Sequence, residues 1–442
     1  MTSSCIIAVS AVAGSLLAAA LACIPGLHIY NVMGIMALLM FRYHSTAIAP
    51  EIIIPVSISL VTAYAVISNI PSVLLAAPDE SSLFTVLPGQ KYFFKGQGLD
   101  AISLVGVGSA IGLLLVILVI APAANSILPM IYKITQHHTH WIIWCVITFM
   151  LMSEWPRGTS VASTQWQRFG YAWKPLLIGL AVFLLSGLLG FIIFFGAPVR
   201  PERSFLNLMP AFVGLFTIPW LLLNIIAGST PPTQKTDSSI CISKSSLLHG
   251  GLAGLAGGGF AAFFPVVTGG VGGFLAGHAL TIRNDKVFLI SQGTAKVIYY
   301  TGGLLLFFAP RLNMRRGGAA WMISGITTNS GQYEFFIALA AIAISGMMAL
   351  LLIHPLARLT LTAISYAGFR RISITALLIT ISIITGITGL SGLLVMLVAT
   401  GIGLLPPLFG TRRMNALGII LLPIACSMSG IGFSIAHWMK LV

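Results

Sequence analysis

The chain has 442 residues, 57% of them hydrophobic and only 7% charged, with a mean hydropathy of +1.00. Apolar runs recur from the first residues to the last, so the sequence reads as an all-α, polytopic integral membrane protein with no separate soluble domain. Its formal charge of +14 is carried by Lys and Arg scattered singly or in pairs at the ends of apolar runs, a positive-inside pattern that argues against nucleic acid as a partner.

Residues 1–23 carry no Lys or Arg ahead of their apolar stretch and read as a first span rather than a signal peptide. Next comes "LACIPGLHIYNVMGIMALL", residues 21–39, where Pro25, Gly26, His28, Tyr30 and Asn31 interrupt an otherwise apolar run. A helix broken at depth survives in hydrocarbon only where protein encloses it or where it lines a wet cavity, because each unpaired backbone group costs several kcal/mol there. Windows near the ~20 residues a helix needs to cross give roughly 10 to 12 spans, some short or interrupted. The main loop candidates are 78–100, 153–174, 199–203, 229–244, 282–286 and 311–316. The cluster "QHHTHW", residues 136–141, reads as an interfacial loop before a metal site. Five cysteines are scattered without a CxxC pair, which suggests neither a disulfide framework nor a metal knuckle.

The second half repeats the design of the first. Pro265 follows a small and apolar run and lies 240 positions after Pro25. Arg200 stands ten residues before Pro210, and Arg413 ten before Pro423. The expected organisation is a first transmembrane repeat over 1–228, a connecting loop over 229–246 and a second repeat over 247–442, each with roughly 5–6 spans and a Pro/Gly-broken or re-entrant helix at the centre. An odd number of crossings in each half makes the repeats inverted. Around the second break, residues 250–277 hold eleven glycines, with Gly250, Gly254 and Gly258 in one row and Gly269, Gly273 and Gly277 in another. Such rows let helix backbones approach closely, but close packing alone does not account for Pro265 followed by Thr268, Gly269 and Gly270.

Paired breaks in two repeats point to a transport site at the midplane, where N-terminal amides of half-helices hold an anion. His28, Asn31 and Thr268 supply directed hydrogen bonds beside them. All nine acidic residues fall in loops or near span ends in this reading, so no mid-membrane carboxylate is expected and an anionic substrate is favoured. Lys296, eleven residues after Asp285, lies about 16 Å along a helix starting there. With no acid in reach, it is expected to face the substrate.

The stretches "IPGLHIYN", "SNIPSVLLAAPDESSLFTVLPGQKYFFKGQGLDAISLVGVGSAIG" (residues 68–112), "RNDKVFLISQGTA" and "GIGLLPPLFGTRRMNALGIILLPI" resemble, in the same order, the TctA-type large membrane subunit of tripartite tricarboxylate transporters, in particular its archaeal branch. The resemblance spans almost the whole chain. It implies an ion-coupled secondary carrier of carboxylate anions in the cytoplasmic membrane, built from two related halves. Na⁺ or H⁺ is the implied coupling ion and no further cofactor is expected. In the bacterial versions a small membrane subunit and an extracytoplasmic solute-binding protein are partners. Pro25 and Gly26 match the first Pro-Gly signature, with Asn69, Pro71 and Pro78 in the segment after it. The second signature departs, since Pro265 is followed by Val266 rather than glycine, and Lys296 stands where the archaeal pattern has Asn.

The expected substrate-binding set is therefore Pro25, Gly26, His28, Asn31, Asn69, Pro265, Thr268, Gly269, Gly270 and Lys296. A translocase for a polyprenyl-phosphate lipid carrier is the alternative, because an anionic headgroup suits the same amide cradle. A remote alternative is an intramembrane serine protease, from "GLSG" at 389–392 with His437 46 residues on. A Ser291–Lys296 dyad is disfavoured, since five positions on a helix set the two side chains about 140° apart.

Overall fold

A computed structural model of the chain describes every residue except 1–2, 43–48, 156–163, 197–207, 229, 236, 238–239, 281, 325–326 and 328–330. The loop at 199–203, with Arg200 and Glu202, lies outside the described residues, and so does the Arg200–Pro210 spacing. All regular structure among the described residues is helical. Among the described residues eight helices are long and apolar enough to cross a membrane, or nine if the pair Arg413–Met428 and Gly432–Trp438, bent by 112°, forms one span. That is fewer than the 10 to 12 apolar windows of the sequence. Half-helices such as Ile29–Arg42, of 14 residues, and Gly269–Ala279, of 11, are too short to cross alone.

The chain forms two compact units, Met1–Lys133 with Trp220–Thr380, and Ile134–Pro219 with Ile381–Val442. Each draws on both halves of the sequence. The longer helices of the first unit include α1 Ser3–Ala22, α2 Ile29–Arg42, α3 Pro50–Ile67, α4 Gly98–Leu115, α5 Lys244–Phe263, α6 Gly269–Ala279, α7 Asp285–Val297 and α8 Gln332–Ala367. Helix α1 packs on α3 and α8, whereas α5 packs on α7 and α4. In turn α3 packs on α8 and α4 on α7.

Small residues set these approaches. A Cβ on Gly14 of α1 would come within 2.9 Å of the Val56 carbonyl oxygen of α3. On α5, Gly250 and Gly258 face Ile290 and Ala295 of α7, and on α6, Gly273 and Gly277 face Gln292 and Phe288 of the same helix. Both glycine rows are thus close-packing surfaces for α7, as a small-residue stripe is in lipid, where van der Waals contact replaces the hydrophobic drive.

Both proline breaks are present. Helix α1 ends at Ala22, and the chain turns through Pro25, which has no N–H to continue the helix, and Gly26 at φ 82°. Helix α5 ends at Phe263, Val266 takes φ 59°, and Thr268 caps α6 by accepting from the Val271 N–H. The two breaks differ in shape: α6 folds back on α5, with Gly272 against Gly257.

In the second unit, the 31-residue helix Gln165–Phe195 packs through Gly187 and Gly190 on Leu422 and Pro423 of Gly418–Met428. Glu154 is buried there, accepting from the Arg412 N–H at 2.6 Å and the Asn415 amide at 3.3 Å. Trp144 donates to Ser429 at 2.9 Å. The helical stretch Phe369–Phe409 is interrupted at Gly389 (φ 73°, ψ −162°).

Candidate functional site

The centre of the first unit is a buried loop after α3. Helix α3 hands over at Ser68 to the short helix Asn69–Leu74, then a non-helical stretch carries "PDESS", residues 78–82, before the helix Val86–Phe93. Ala76 takes φ 52°, and Ala76, Ala77, Glu80, Ser81 and Ser82 are all buried. Asp79 organises the turn. Its Oδ1 accepts from the backbone N–H and the hydroxyl of Ser81 (3.1 and 2.7 Å) and of Ser82 (2.8 and 2.6 Å). An aspartate that bonds the amides two and three positions on is an Asx-turn, which fixes the local turn over residues 79–82.

The other Asp79 oxygen, Oδ2, accepts from the Tyr64 hydroxyl at 3.0 Å and lies 3.0 Å from Nζ of Lys296. The Lys296 side chain is 1% exposed and that of Asp79 8%. The absence of an acidic partner, inferred from the sequence, is therefore corrected. Asp79 does lie in a loop, as do the other acids in the sequence reading, but this loop turns inward and meets α7. Lys296 also sits 5.7 Å over the Tyr64 ring, a second contact favourable to a cation. Its ammonium is at ion-pair distance but makes no well-aligned hydrogen bond among the described residues, and neither amide atom of Gln292, one turn earlier on α7, finds a partner.

Glu80, 2% exposed, points the other way. Its Oε1 accepts from the Tyr300 hydroxyl at 2.9 Å and from His28 Nε2 at 3.2 Å, while Oε2 lies 3.1 Å from the same nitrogen. His28 Nε2 is also 2.9 Å from the Tyr300 hydroxyl. His28 Nδ1 accepts from the Tyr30 backbone N–H at 3.1 Å, which puts the imidazole proton on Nε2, facing Glu80. Tyr300 lies in a π-helical turn, Ile298–Gly302, that directly follows α7; such turns add one residue to a helix and re-aim its side chains.

The second break joins the same cluster. The Thr268 hydroxyl donates to the Glu80 carbonyl at 3.2 Å, and a Cβ on Gly270 would lie 2.8 Å from the Ser81 carbonyl oxygen, so only glycine lets α6 approach the acidic turn this closely. Beside it a small cavity is lined by Tyr30, Tyr299, Tyr300, Arg316 and the break residues Pro265 and Val266. The Arg316 guanidinium lies 5.5 Å from the centre of the Tyr132 ring.

Of the residues singled out from sequence, His28, Thr268, Gly270 and Lys296 meet around the "PDESS" turn, and Pro265 lines the cavity. Gly269 packs on Tyr299, and a Cβ there would lie 3.0 Å from the Tyr299 Cβ. Pro25 and Gly26 shape the first break, and the Pro25 carbonyl accepts from Thr380 at 2.8 Å. Asn31 is 3% exposed with its Nδ2 unpaired. Asn69 serves its own helix, donating to the carbonyls of Ala65 and Val66. Sequence reasoning passed over Asp79, Glu80, Tyr64, Tyr300 and Arg316. The Asp-x-Ser-Ser spacing was a usable signal for the first, as a turn motif inside a strongly apolar stretch. Elsewhere, the Ser291 hydroxyl donates to the Phe288 carbonyl rather than to Lys296, and no group of three His, Cys, Asp or Glu residues among the described ones could hold a metal.

The chain matches the family described as the tripartite tricarboxylate transporter TctA family over residues 8–418. It is 25% identical over 405 residues to the uncharacterized protein MJ1079 of Methanocaldococcus jannaschii, covering 90% of this chain and 93% of that one. No solved structure matches.

Proposed function

Because the chain belongs to the tripartite tricarboxylate transporter TctA family, we propose that it is the permease of an ion-coupled secondary transporter in the cytoplasmic membrane, and that it moves an organic anion of the di- or tricarboxylate class. The observation that carries this reading is the Arg316 cavity, which opens at the second break beside the Asp79–Lys296 and Glu80–His28 pairs. Arg316 presents a planar, permanently charged fork suited to a carboxylate. Tyr30 and Tyr299 line the same cavity with neutral phenols; Lys296, balanced in charge by Asp79, is buried outside that lining.

The matching arrangement of the two sets, α1 on α3 and α8 and, in the same way, α5 on α7 and α4, supports two related halves. In each half a helix, a proline break, a short half-helix and a further helix follow in the same order. We assign the halves to the sequence segments 1–228 and 247–442, inverted with respect to each other. Cysteine labelling at the two breaks tests this, since Ile24 and Val266, each partly exposed, should react from opposite sides of the membrane when replaced by Cys. A small membrane subunit and a solute-binding protein are the partners the family implies.

The deciding experiment is uptake of radiolabelled citrate, and of other di- and tricarboxylates, by vesicles reconstituted with the purified protein, alongside thermal-shift measurements with the same anions, inorganic phosphate and polyprenyl phosphate. A ligand of the folded state raises its stability by mass action. Carboxylate-dependent stabilisation and uptake carry the reading. Stabilisation by polyprenyl phosphate alone replaces it with a lipid-carrier translocase.

A further inference from the structure

We infer that Glu80 is the proton-binding site of this protein, its carboxylate accepting one proton from water on one side of the membrane and returning it on the other, with His28 and Tyr300 as positioning residues. The inference rests on the carrier reading above for its role in transport, but the site itself stands on the charge inventory of the buried cluster.

Three ionisable groups of fixed or potential full charge meet there, Asp79, Lys296 and Glu80, with the His28 imidazole beside them, its Nδ1 accepting from the Tyr30 N–H and its Nε2 facing Glu80. Asp79 and Lys296 cancel. Every contact of the Asp79 carboxylate is made to it as an acceptor: four bonds from Ser81 and Ser82, one from Tyr64, and the ammonium. A proton on Asp79 would compete with those donors and strand Lys296 as an unpaired buried cation, so neither member of that pair is a ready proton carrier.

Glu80 differs on each count. Its neighbours are neutral donors, the His28 Nε2–H and the Tyr300 hydroxyl, and its Oε2 makes no well-aligned hydrogen bond. Ionised, it leaves the cluster with one uncompensated negative charge in a site 2% exposed. Protonated, it leaves the cluster neutral, and the new O–H lies on the oxygen that lacks a partner. The remaining titratable groups around it are phenols: Tyr30 from α2, Tyr64 from α3 and Tyr299 from the π-helical turn. None of them supplies a positive charge. Loading the proton also removes a negative charge one hydrogen bond from Tyr300, which lines the Arg316 cavity, so an anion enters more readily after the proton than before it. The Glu80 backbone carbonyl holds Thr268 of the second break, and its side chain holds His28 of the first. One residue therefore touches both broken helices, and protonation of its carboxylate changes a hydrogen bond at the first while its backbone holds the second.

The test uses full-length protein in lipid vesicles and two readouts. In infrared difference spectra taken as pH is lowered across the range where the protein stays folded, the carbonyl stretch of a protonated carboxylic acid should appear. It should be lost in Glu80→Gln and shifted in Tyr300→Phe, which removes a donor to the same carboxylate. A band unchanged in Glu80→Gln overturns the assignment, as does the absence of any such band. The second readout is citrate uptake with and without an inward proton gradient. Acceleration by the gradient should be lost in Glu80→Gln and partly recovered in Glu80→Asp. Uptake in Glu80→Gln that still responds to the gradient as the parent does refutes the proton site. If the parent takes up no citrate, the carrier reading for that anion fails, and the infrared band alone decides the site.

Discussion

Lys296 Nζ and Asp79 Oδ2 are 3.0 Å apart with both side chains buried, which joins the last turn of α7 to a turn more than two hundred positions earlier in the chain. This pair changes what a substitution at Lys296 does. With no acidic partner, Lys296→Met would relieve an unpaired cation and leave the fold intact or stabilised. With Asp79 present, it creates an uncompensated buried carboxylate instead, and breaking a buried pair from one side costs about 3–5 kcal/mol. Lys296→Met should therefore lower the unfolding midpoint in detergent. The double variant Lys296→Met, Asp79→Asn should recover most of the loss, giving a large coupling energy in the double-mutant cycle. Equal midpoints for parent and Lys296→Met would mean the pair contributes nothing.

Ser82 is the next joint of the same turn. Its hydroxyl donates to Asp79 Oδ1 at 2.6 Å, is 2.8 Å from the Ser72 hydroxyl, and accepts from the Asp79 N–H at 3.1 Å. Ser82→Ala removes the hydroxyl and leaves buried partners unsatisfied, with an expected cost of about 1–3 kcal/mol. Ser126→Ala, at an exposed hydroxyl bonded only to the Pro122 carbonyl, is the control and should cost far less. Denaturation of the two variants under one set of conditions measures the difference.

The all-helical class, the two proline breaks and the convergence of His28, Thr268, Gly270 and Lys296 were legible from the sequence, because breaks and glycine rows are local signals with few meanings in lipid. Asp79 and Glu80 were not. A carboxylate in a Pro- and Ser-containing stretch looks like an interfacial loop until the fold turns that loop inward, and hydropathy does not record that turn. Tyr64 and Tyr300 were hidden for a related reason. An aromatic in an apolar run reads as packing, and only the placement of its hydroxyl, 3.0 Å from Asp79 or 2.9 Å from Glu80, gives it another role. The compact units were also hidden, since each gathers segments from both halves of the chain.

Val266 carries backbone strain at the second break. It adopts φ 59°, a left-handed conformation disfavoured for a β-branched residue, where such strain costs of order 1–3 kcal/mol. Val266→Gly removes that strain and adds unfolded-state entropy worth roughly 0.5–1 kcal/mol against the fold. The net expectation is a neutral to modestly raised unfolding midpoint. Val267→Gly, at a neighbouring buried position without positive φ, has no strain to relieve and should destabilise. If both glycines lower the midpoint equally, the φ value of Val266 is not a source of strain.

Arg316 gives the sharpest test of where the anion sits. Its guanidinium lines the cavity at the second break and leans on the Tyr132 ring, so truncation would remove packing as well as charge. Arg316→Gln keeps much of the side-chain volume while removing the cation. Losing a charge-assisted bond to a carboxylate costs about 1.5–3 kcal/mol, or roughly ten- to a hundredfold in affinity. Citrate-induced thermal stabilisation should fall accordingly, while the midpoint without ligand moves little. Arg316→Lys should keep part of the response, because the charge survives but the two-pronged geometry does not. A cysteine at Val266, on the same cavity wall, should react with an anionic thiol reagent and be protected by citrate in the parent background but not beside Arg316→Gln. Citrate protection that persists without the guanidinium would move the anion site away from this cavity and toward the Lys296 ammonium.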